Sequence, residues 1–350
     1  MQPNRNGFLT QMATFKSYCS DPCCQNPTHD HAGMTASDVA AEDASQKAPR
    51  IYVYSPSGAV QDKTAFHRGV RWLKKSGYHV TLDEAVLARA TRFAGDHASR
   101  VAAVHRAADS GADLALISRG GYGINHLLPL LDYARIASAI DRGTQFMGFS
   151  DFTALQMALY ARTGRITWAG ASLGVDFGAT PQPDEITLAC FEDVLHGVGE
   201  GTGWRIRKDC APYDGLEIAQ ATLWGGNLAV LTSLIGTPYF PAIKGGILFL
   251  EDVGEPPYRI ERMLVQLEQA GVLAAQQAIL LGHFTDARVI PHDRGFNLTK
   301  VVAALRQRVS VPVLTGLPFG HVSTKVCLPF GAEVSLRVGA REAMLIWGHL

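Results

Sequence analysis

The chain has 350 residues, 47% of them hydrophobic and 18% charged, with 32 Lys plus Arg against 32 Asp plus Glu. That is room for two domains with real cores. Zero formal charge leaves no electrostatic reason to expect nucleic acid or an anionic membrane as partner. No apolar run reaches the roughly 18–20 residues of a membrane span, and the first 25 residues lack a signal-peptide core.

The N-terminal stretch, taken as residues 1–49, reads as a disordered extension, and Met34 is an alternative start. It carries Cys19, Cys23, Cys24, His29 and His31, whose spacing matches no zinc module. The other cysteines, Cys190, Cys210 and Cys327, are scattered, which fits a reducing, cytoplasmic setting rather than a disulfide framework.

Order is expected from Ile51. "IYVYSPSG" reads as a buried strand entering a Pro/Gly turn, and Thr64–Lys75 as a helix with Phe66, Val70 and Leu73 on one stripe. "YHVTL" is the next strand. An alanine-rich helix capped by Asp96 or Ser99 runs through Ala108, and "ADLALIS" is a strand leading into the glycine-rich "RGGYG". "TQFMGFS" is a strand, Asp151–Arg162 a helix, and "RITWAG" one further strand. Strands alternating with helices predict a mostly parallel, doubly wound, flavodoxin-like α/β domain over residues 50–177. Ligands in such sheets bind beyond the carboxyl ends of the strands. Three turns fall there: Ser55–Gly58, Arg119–Gly123 and Ser150–Asp151.

Residues 178–212 are rich in Gly and Pro and read as a crossover around one helix. Residues 213–350 read as a second, mixed α/β and β-rich domain. "LEIAQATL", "GGILFLED" and "AILLGHF" are strands there, "GGNLAVLTSLIG", "YRIERMLVQLEQAG" and Leu298–Arg308 are helices, and several short strands close the chain.

"FMGFSDFTAL" places Ser150 at a strand–helix corner, two residues after Gly148. A nucleophile elbow has this form, but its second glycine is replaced by Phe152, and on this stretch alone helix capping by Ser or Asp is the favoured reading. A serine nucleophile needs a base, and His321 stands apart from the other histidines in a Pro/Gly-rich loop between strands. An imidazole base needs a carboxylate, and Glu251 and Asp252 end an apolar strand. "RGGYG" lacks both Walker and dinucleotide spacing, so it speaks for close backbone approach rather than nucleotide binding.

In this order the segments "YSPSG", "ISRGGYGINHLLPLLD", "GFSDFTAL", "WGGNLAVLTSLIGTPYFP", "GILFLEDVGEPPYRIERMLVQLEQAG" and "LPFGHVSTKVCLPFGAEVSL" resemble the serine L,D-carboxypeptidases that act on muropeptides. The microcin C self-immunity peptidases are relatives within that family. The resemblance covers roughly residues 51–347 and leaves the stretch before Arg50 unmatched. It implies a catalytic Ser150, Glu251 and His321, with Glu251 preferred over Glu255, and an oxyanion hole from the NH groups of Asp151 and Gly121. It further implies a muropeptide substrate, a site between two domains, a homodimer, and no metal or cofactor. Arg119 is a candidate for the substrate's terminal carboxylate, Arg259 is read as a structural ion pair, and Trp224 is a candidate pocket wall. A peptidyl- or aminoacyl-nucleotide substrate is the alternative within the family, and a non-enzymatic ligand-binding α/β protein the alternative outside it.

Overall fold

Short Val/Ile/Leu-rich runs become buried strands, and the 3.6-residue stripes between them become the helices that cover those strands. The computed structural model describes residues 48–350. The Cys/His group and all but the last two residues of the expected extension lie outside the described residues.

The first sheet holds β1 (Arg50–Tyr54), β2 (His79–Leu82), β3 (Leu114–Ile117), β4 (Gln145–Gly148) and β5 (Thr167–Ala169), in the order 2-1-3-4-5 and all parallel. This is the flavodoxin order, whose switch point lies between β1 and β3. The turns Ser55–Gly58 and Arg119–Gly123 leave the sheet at that switch point, and the Ser150 turn follows the neighbouring β4. Helices α1 (Lys63–Lys75), α2 (His97–Asp109), α3 (Tyr133–Asp141) and α4 (Thr153–Thr163) alternate with the strands. Asp62, Asp96 and Asp132 cap the first three by accepting N–H bonds from Ala65, Ser99 and Arg135. On α1, Phe66, Val70 and Leu73 face inward as their spacing predicts.

The second sheet follows α5 (Glu185–His196). Its strands are β6 (Gly201–Arg205), β7 (Glu217–Asn227), β8 (Ile247–Val253), β9 (Ala278–Thr285), β10 (Val313–Thr315), β12 (Glu333–Val338) and β13 (Glu342–Ile346). The order is β10-β9-β8-β7-β12-β13-β6. The first four run parallel, and β7, β12, β13 and β6 pair antiparallel. The sheet is therefore mixed. Its parallel half is wound with α6 (Leu228–Ser233), α7 (Pro257–Gln269) and α8 (Leu298–Arg308).

Two segments cross the divisions drawn from sequence. β6 lies inside the stretch read as a crossover, yet it pairs with β13. A Cβ at Gly201 would stand 2.5 Å from the Leu345 carbonyl, so this glycine serves strand packing rather than a loop. The short β11 (Leu328–Phe330), far down the chain, pairs antiparallel with β5 and completes the first sheet. Residues 48–350 form one compact unit. Among the described residues no helix is long and apolar enough to cross a membrane.

Candidate active site

Ser150 opens a 3₁₀ turn (Ser150–Phe152) that runs from the end of β4 into α4. Its φ is +66°, a conformation a non-glycine residue adopts at a cost of about 1–2 kcal/mol. Neither this turn nor α4 has a side-chain cap, so the hydroxyl is not spent on capping. The strain falls on the serine itself, as it does in a nucleophile elbow. Gly148 is needed for packing: a Cβ there would stand 2.7 Å from Ile117 Cδ1 and 2.8 Å from Phe152 Cγ. Phe152 occupies the place of the missing second glycine and is fully buried over that gap.

His321 sits in the loop between β10 and β11. The Ser150 Oγ–H donates to His321 Nε2 at 3.1 Å, and His321 Nδ1–H donates to Glu251 Oε2 at 2.7 Å. A carboxylate only accepts, so the proton belongs on Nδ1 and Nε2 is left as the acceptor. Glu251 is 0% exposed, while the imidazole keeps 22% of its side chain in solvent. The three groups thus form a continuous relay from the surface to a buried anion, and such a relay can lift a proton from a hydroxyl as it attacks. Gly320 makes the approach possible. Its φ is +135°, and a Cβ there would press to 3.3 Å from Glu251 Oε2 and 2.9 Å from the His283 carbonyl.

Residues 51–170 match the LD-carboxypeptidase N-terminal domain and residues 220–336 the LD-carboxypeptidase C-terminal domain. The chain belongs to the LD-carboxypeptidase family. It is a serine-type carboxypeptidase. It is 30% identical to the murein tetrapeptide carboxypeptidase of Pseudomonas aeruginosa, over 82% of this chain and 92% of that one. It is 28% identical to the microcin C7 self-immunity protein MccF of Escherichia coli, over 81% and 88%. The solved muramoyltetrapeptide carboxypeptidase from Oxalobacter formigenes superposes with a TM-score of 0.76 at 36% identity, covering 85% of this chain and 98% of that one.

In this LD-carboxypeptidase several residues that sequence reasoning did not single out hold the relay in place. Asn227, the N-cap of α6, donates through Nδ2 to Glu251 Oε1 (3.1 Å) and Asp252 Oδ1 (2.9 Å), and its backbone N–H donates to Thr153 Oγ1 (3.0 Å). It joins the carboxylate strand to the first turn of the Ser150 helix. Gly226 permits that junction, since a Cβ there would fall 2.4 Å from Thr153 Oγ1. The β8–β9 ladder shifts register between Leu250 and Asp252, and this break in the alternation lets both Glu251 and Asp252 reach Asn227. Burial pushes the Asp252 carboxyl up to about 6. The "WGGN" tetrapeptide was the available signal, masked by a reading of its glycines as the start of a helix.

The His321 loop is anchored at its far end by Lys325, fully buried and ion-paired with Asp176. The Lys325 ammonium also lies 4.4 Å from the centre of the Phe149 ring, and that ring stands 5.0 Å from the imidazole of His321. Thr324 adds a hydroxyl bond to Asp184 at 2.7 Å.

The remaining expected residues are placed as follows. The Asp151 carboxylate, 2% exposed, accepts from Ser57 Oγ (2.5 Å) and the Ile124 N–H (3.0 Å), so it ties the two switch-point turns to the Ser150 corner. Burial drives its carboxyl upward, opposed by those two donors and by Arg100. Its side chain therefore has a structural task, where sequence reading had given weight to the backbone N–H alone. Gly121, at φ +126°, packs against Gly58. Gly120 is the residue whose backbone meets the serine: a Cβ there would lie 2.7 Å from Ser150 Cβ. Arg119 is partly buried and donates to the Ala59 carbonyl at 3.0 Å. Its basicity is lowered by burial and by Arg92 nearby. Trp224 is 1% exposed and donates its indole N–H to Gln276 at 2.9 Å, which is a core position and not a pocket wall. Arg259 pairs with Glu255 at 2.6 Å. Cys327 is packed and its thiol is pushed well up by burial. Among the described residues no group of three or more His, Cys, Asp or Glu is arranged to hold a metal ion.

Proposed function

We propose that the protein removes the terminal D-alanine from a murein tetrapeptide by a Ser150–His321–Glu251 acyl-enzyme mechanism. The unbroken chain of hydrogen bonds from Ser150 through His321 to Glu251 carries this reading. His321 Nε2 takes the hydroxyl proton as Ser150 Oγ attacks the carbonyl carbon. Glu251 fixes the tautomer and stabilises the imidazolium. The N–H groups of the first helical turn have no intrahelical partner, so the Asp151 N–H is available to the tetrahedral oxyanion, together with that of Gly121. His321 then protonates the departing amine, and water, deprotonated by the same imidazole, releases the tripeptide. Arg119 is the candidate for the leaving residue's carboxylate.

The muropeptide substrate is favoured by 36% identity to a solved muramoyltetrapeptide carboxypeptidase, against 25% to MccF bound to glutamyl sulfamoyl guanosine. We place the enzyme in the cytoplasm as a homodimer, which sedimentation of the full chain tests. We assign Ser150 to an N-terminal domain and Glu251 and His321 to a C-terminal one. The deciding assay incubates purified protein with murein tetrapeptide and follows tripeptide and D-alanine by mass spectrometry. The wild type releases both and Ser150→Ala neither. Release by Ser150→Ala would remove the nucleophile assignment. Cleavage of an aminoacyl-nucleotide, with the tetrapeptide untouched, would move the protein to the immunity branch.

A further inference from the structure

Arg100, on α2, is 0% exposed and has no hydrogen-bonded carboxylate. Its Nη1 donates to two carbonyls, those of Pro56 (3.3 Å) and Gly123 (2.9 Å). Nε and Nη2 have no hydrogen-bond partner, and the guanidinium lies 4.7 Å from the centre of the Phe93 ring. A buried cation with unmet donors is costly, and a core residue needed only for packing would be an aliphatic one.

The two carbonyls are not arbitrary. Pro56 precedes Ser57, and Gly123 precedes Ile124, the two residues that donate to the Asp151 carboxylate. Each switch-point turn is therefore held at two consecutive residues, by the cation at one and by the anion at the next. Between these grips, Gly58 N–H donates to the Gly120 carbonyl at 3.4 Å, and Gly120 lies directly against Ser150. Gly123, at φ +130°, leaves room for the guanidinium: a Cβ there would be 2.8 Å from Nη1. The stretch Gly120–Gly121 is thus fixed from one side by Ser150 and from the other by a clamp whose cationic jaw is Arg100.

We infer that Arg100 is a positioning residue of the acyl-transfer reaction, acting through the Pro56 and Gly123 carbonyls to set the Gly120–Gly121 backbone at its working distance from Ser150. This rests on the proposed function. Loss of one oxyanion donor lowers kcat about 10²–10³-fold, and a shift of about 1 Å in a positioned group costs about 10²-fold. Slackening the clamp, without removing a donor, is expected to lower kcat roughly 10–100-fold.

The test uses the full chain with Arg100→Met, which keeps the bulk, and Arg100→Lys, which keeps the charge on a shorter stem and so draws the donor back from the point where Nη1 meets both carbonyls. Reactive sites are counted by labelling to completion with a fluorophosphonate, so that unfolded protein does not enter the rate. D-alanine release gives kcat and KM per titrated site. A peptidyl boronic acid, which forms a tetrahedral adduct on the serine, reports transition-state-like binding, and the tripeptide product reports ground-state binding. We expect kcat and boronate affinity to fall together in Arg100→Met, by less in Arg100→Lys, with KM and tripeptide affinity within about threefold of wild type. If Arg100→Met does not fold, Arg100→Lys is judged alone. Per-site kcat and boronate affinity within about twofold of wild type would overturn the inference, as would a loss confined to KM. If the wild type releases no D-alanine, the substrate reading falls and the boronate comparison still decides for Arg100.

Discussion

Gly120→Ala tests the site by adding a single methyl group. The residue does not adopt a positive φ, so alanine meets no backbone penalty, and the whole effect is steric. The new Cβ would stand 2.7 Å from Ser150 Cβ, 2.9 Å from Ser150 Oγ and 3.3 Å from the Phe149 carbonyl. Carbon atoms pack at about 3.5–4.0 Å, so the serine and the glycine turn must part by about 0.8 Å or more. Ser150 is already strained and its hydroxyl is directional, so the gap opens between Ser150 Oγ and the Gly120–Gly121 backbone, the nucleophile and an oxyanion donor in the proposed mechanism. A displacement near 1 Å is worth about 10² in rate, or about 2.7 kcal/mol of barrier. D-alanine release, coupled to a D-amino-acid oxidase, should show kcat/KM down by about two orders of magnitude with an unchanged far-UV spectrum. Gly339→Ala is the control, because its Cβ meets only the Glu342 carbonyl at 3.7 Å, and it should leave the rate unaltered. If Gly120→Ala stays within about threefold of wild type, the turn does not set the position of Ser150 and the reasoning fails.

Three further outcomes are expected. Ser150→Gly and Ser150→Ala both lose activity, but glycine relieves the +66° φ, so Ser150→Gly should unfold at higher denaturant, by about 1 kcal/mol. Lys325→Met leaves Asp176 buried and unpaired and should cost about 3–5 kcal/mol, much of it recovered in Lys325→Met/Asp176→Leu, as urea titrations would report. Asp252 carries a carboxyl raised from 3.8 to about 6, so between those values the folded state binds the extra proton. Its contribution makes the protein less stable as pH rises from about 4 to about 6, by up to about 3 kcal/mol. Asp252→Asn should be less stable overall, because an amide N–H would confront a backbone donor, yet the difference in stability between the two proteins should change across that pH window. A constant difference would refute the titration.

Much of the architecture was legible because its signals are local. The helix at Leu298–Arg308 and the cap at Asp96 coincide with their sequence readings. Ser150, Glu251 and His321 could each be suspected from a strand end or a loop, and the family resemblance selected them jointly. What escaped depends on contacts distant in sequence. Asn227 and Thr153 are 74 positions apart, Lys325 and Asp176 149, and no periodicity encodes either pair. Glycine misled twice, at Gly201 and at Gly225–Gly226, where it marks close backbone packing inside β6 and β7 rather than loop or helix start. Trp224 misled for the opposite reason: an aromatic beside glycines suggested a pocket, but its indole satisfies a buried glutamine.

The late strand β11 has a consequence for how the first sheet and the site are completed. The first five strands precede it in sequence by more than a hundred residues, yet the edge of β5 is covered only when Leu328–Phe330 pairs with it. The same approach of the chain delivers His321 to Ser150. A chain ending before His321 therefore carries Ser150 without the imidazole and β5 without its edge partner. Completion of the first sheet and the meeting of His321 with Ser150 thus both draw on one short stretch, His321 to Phe330.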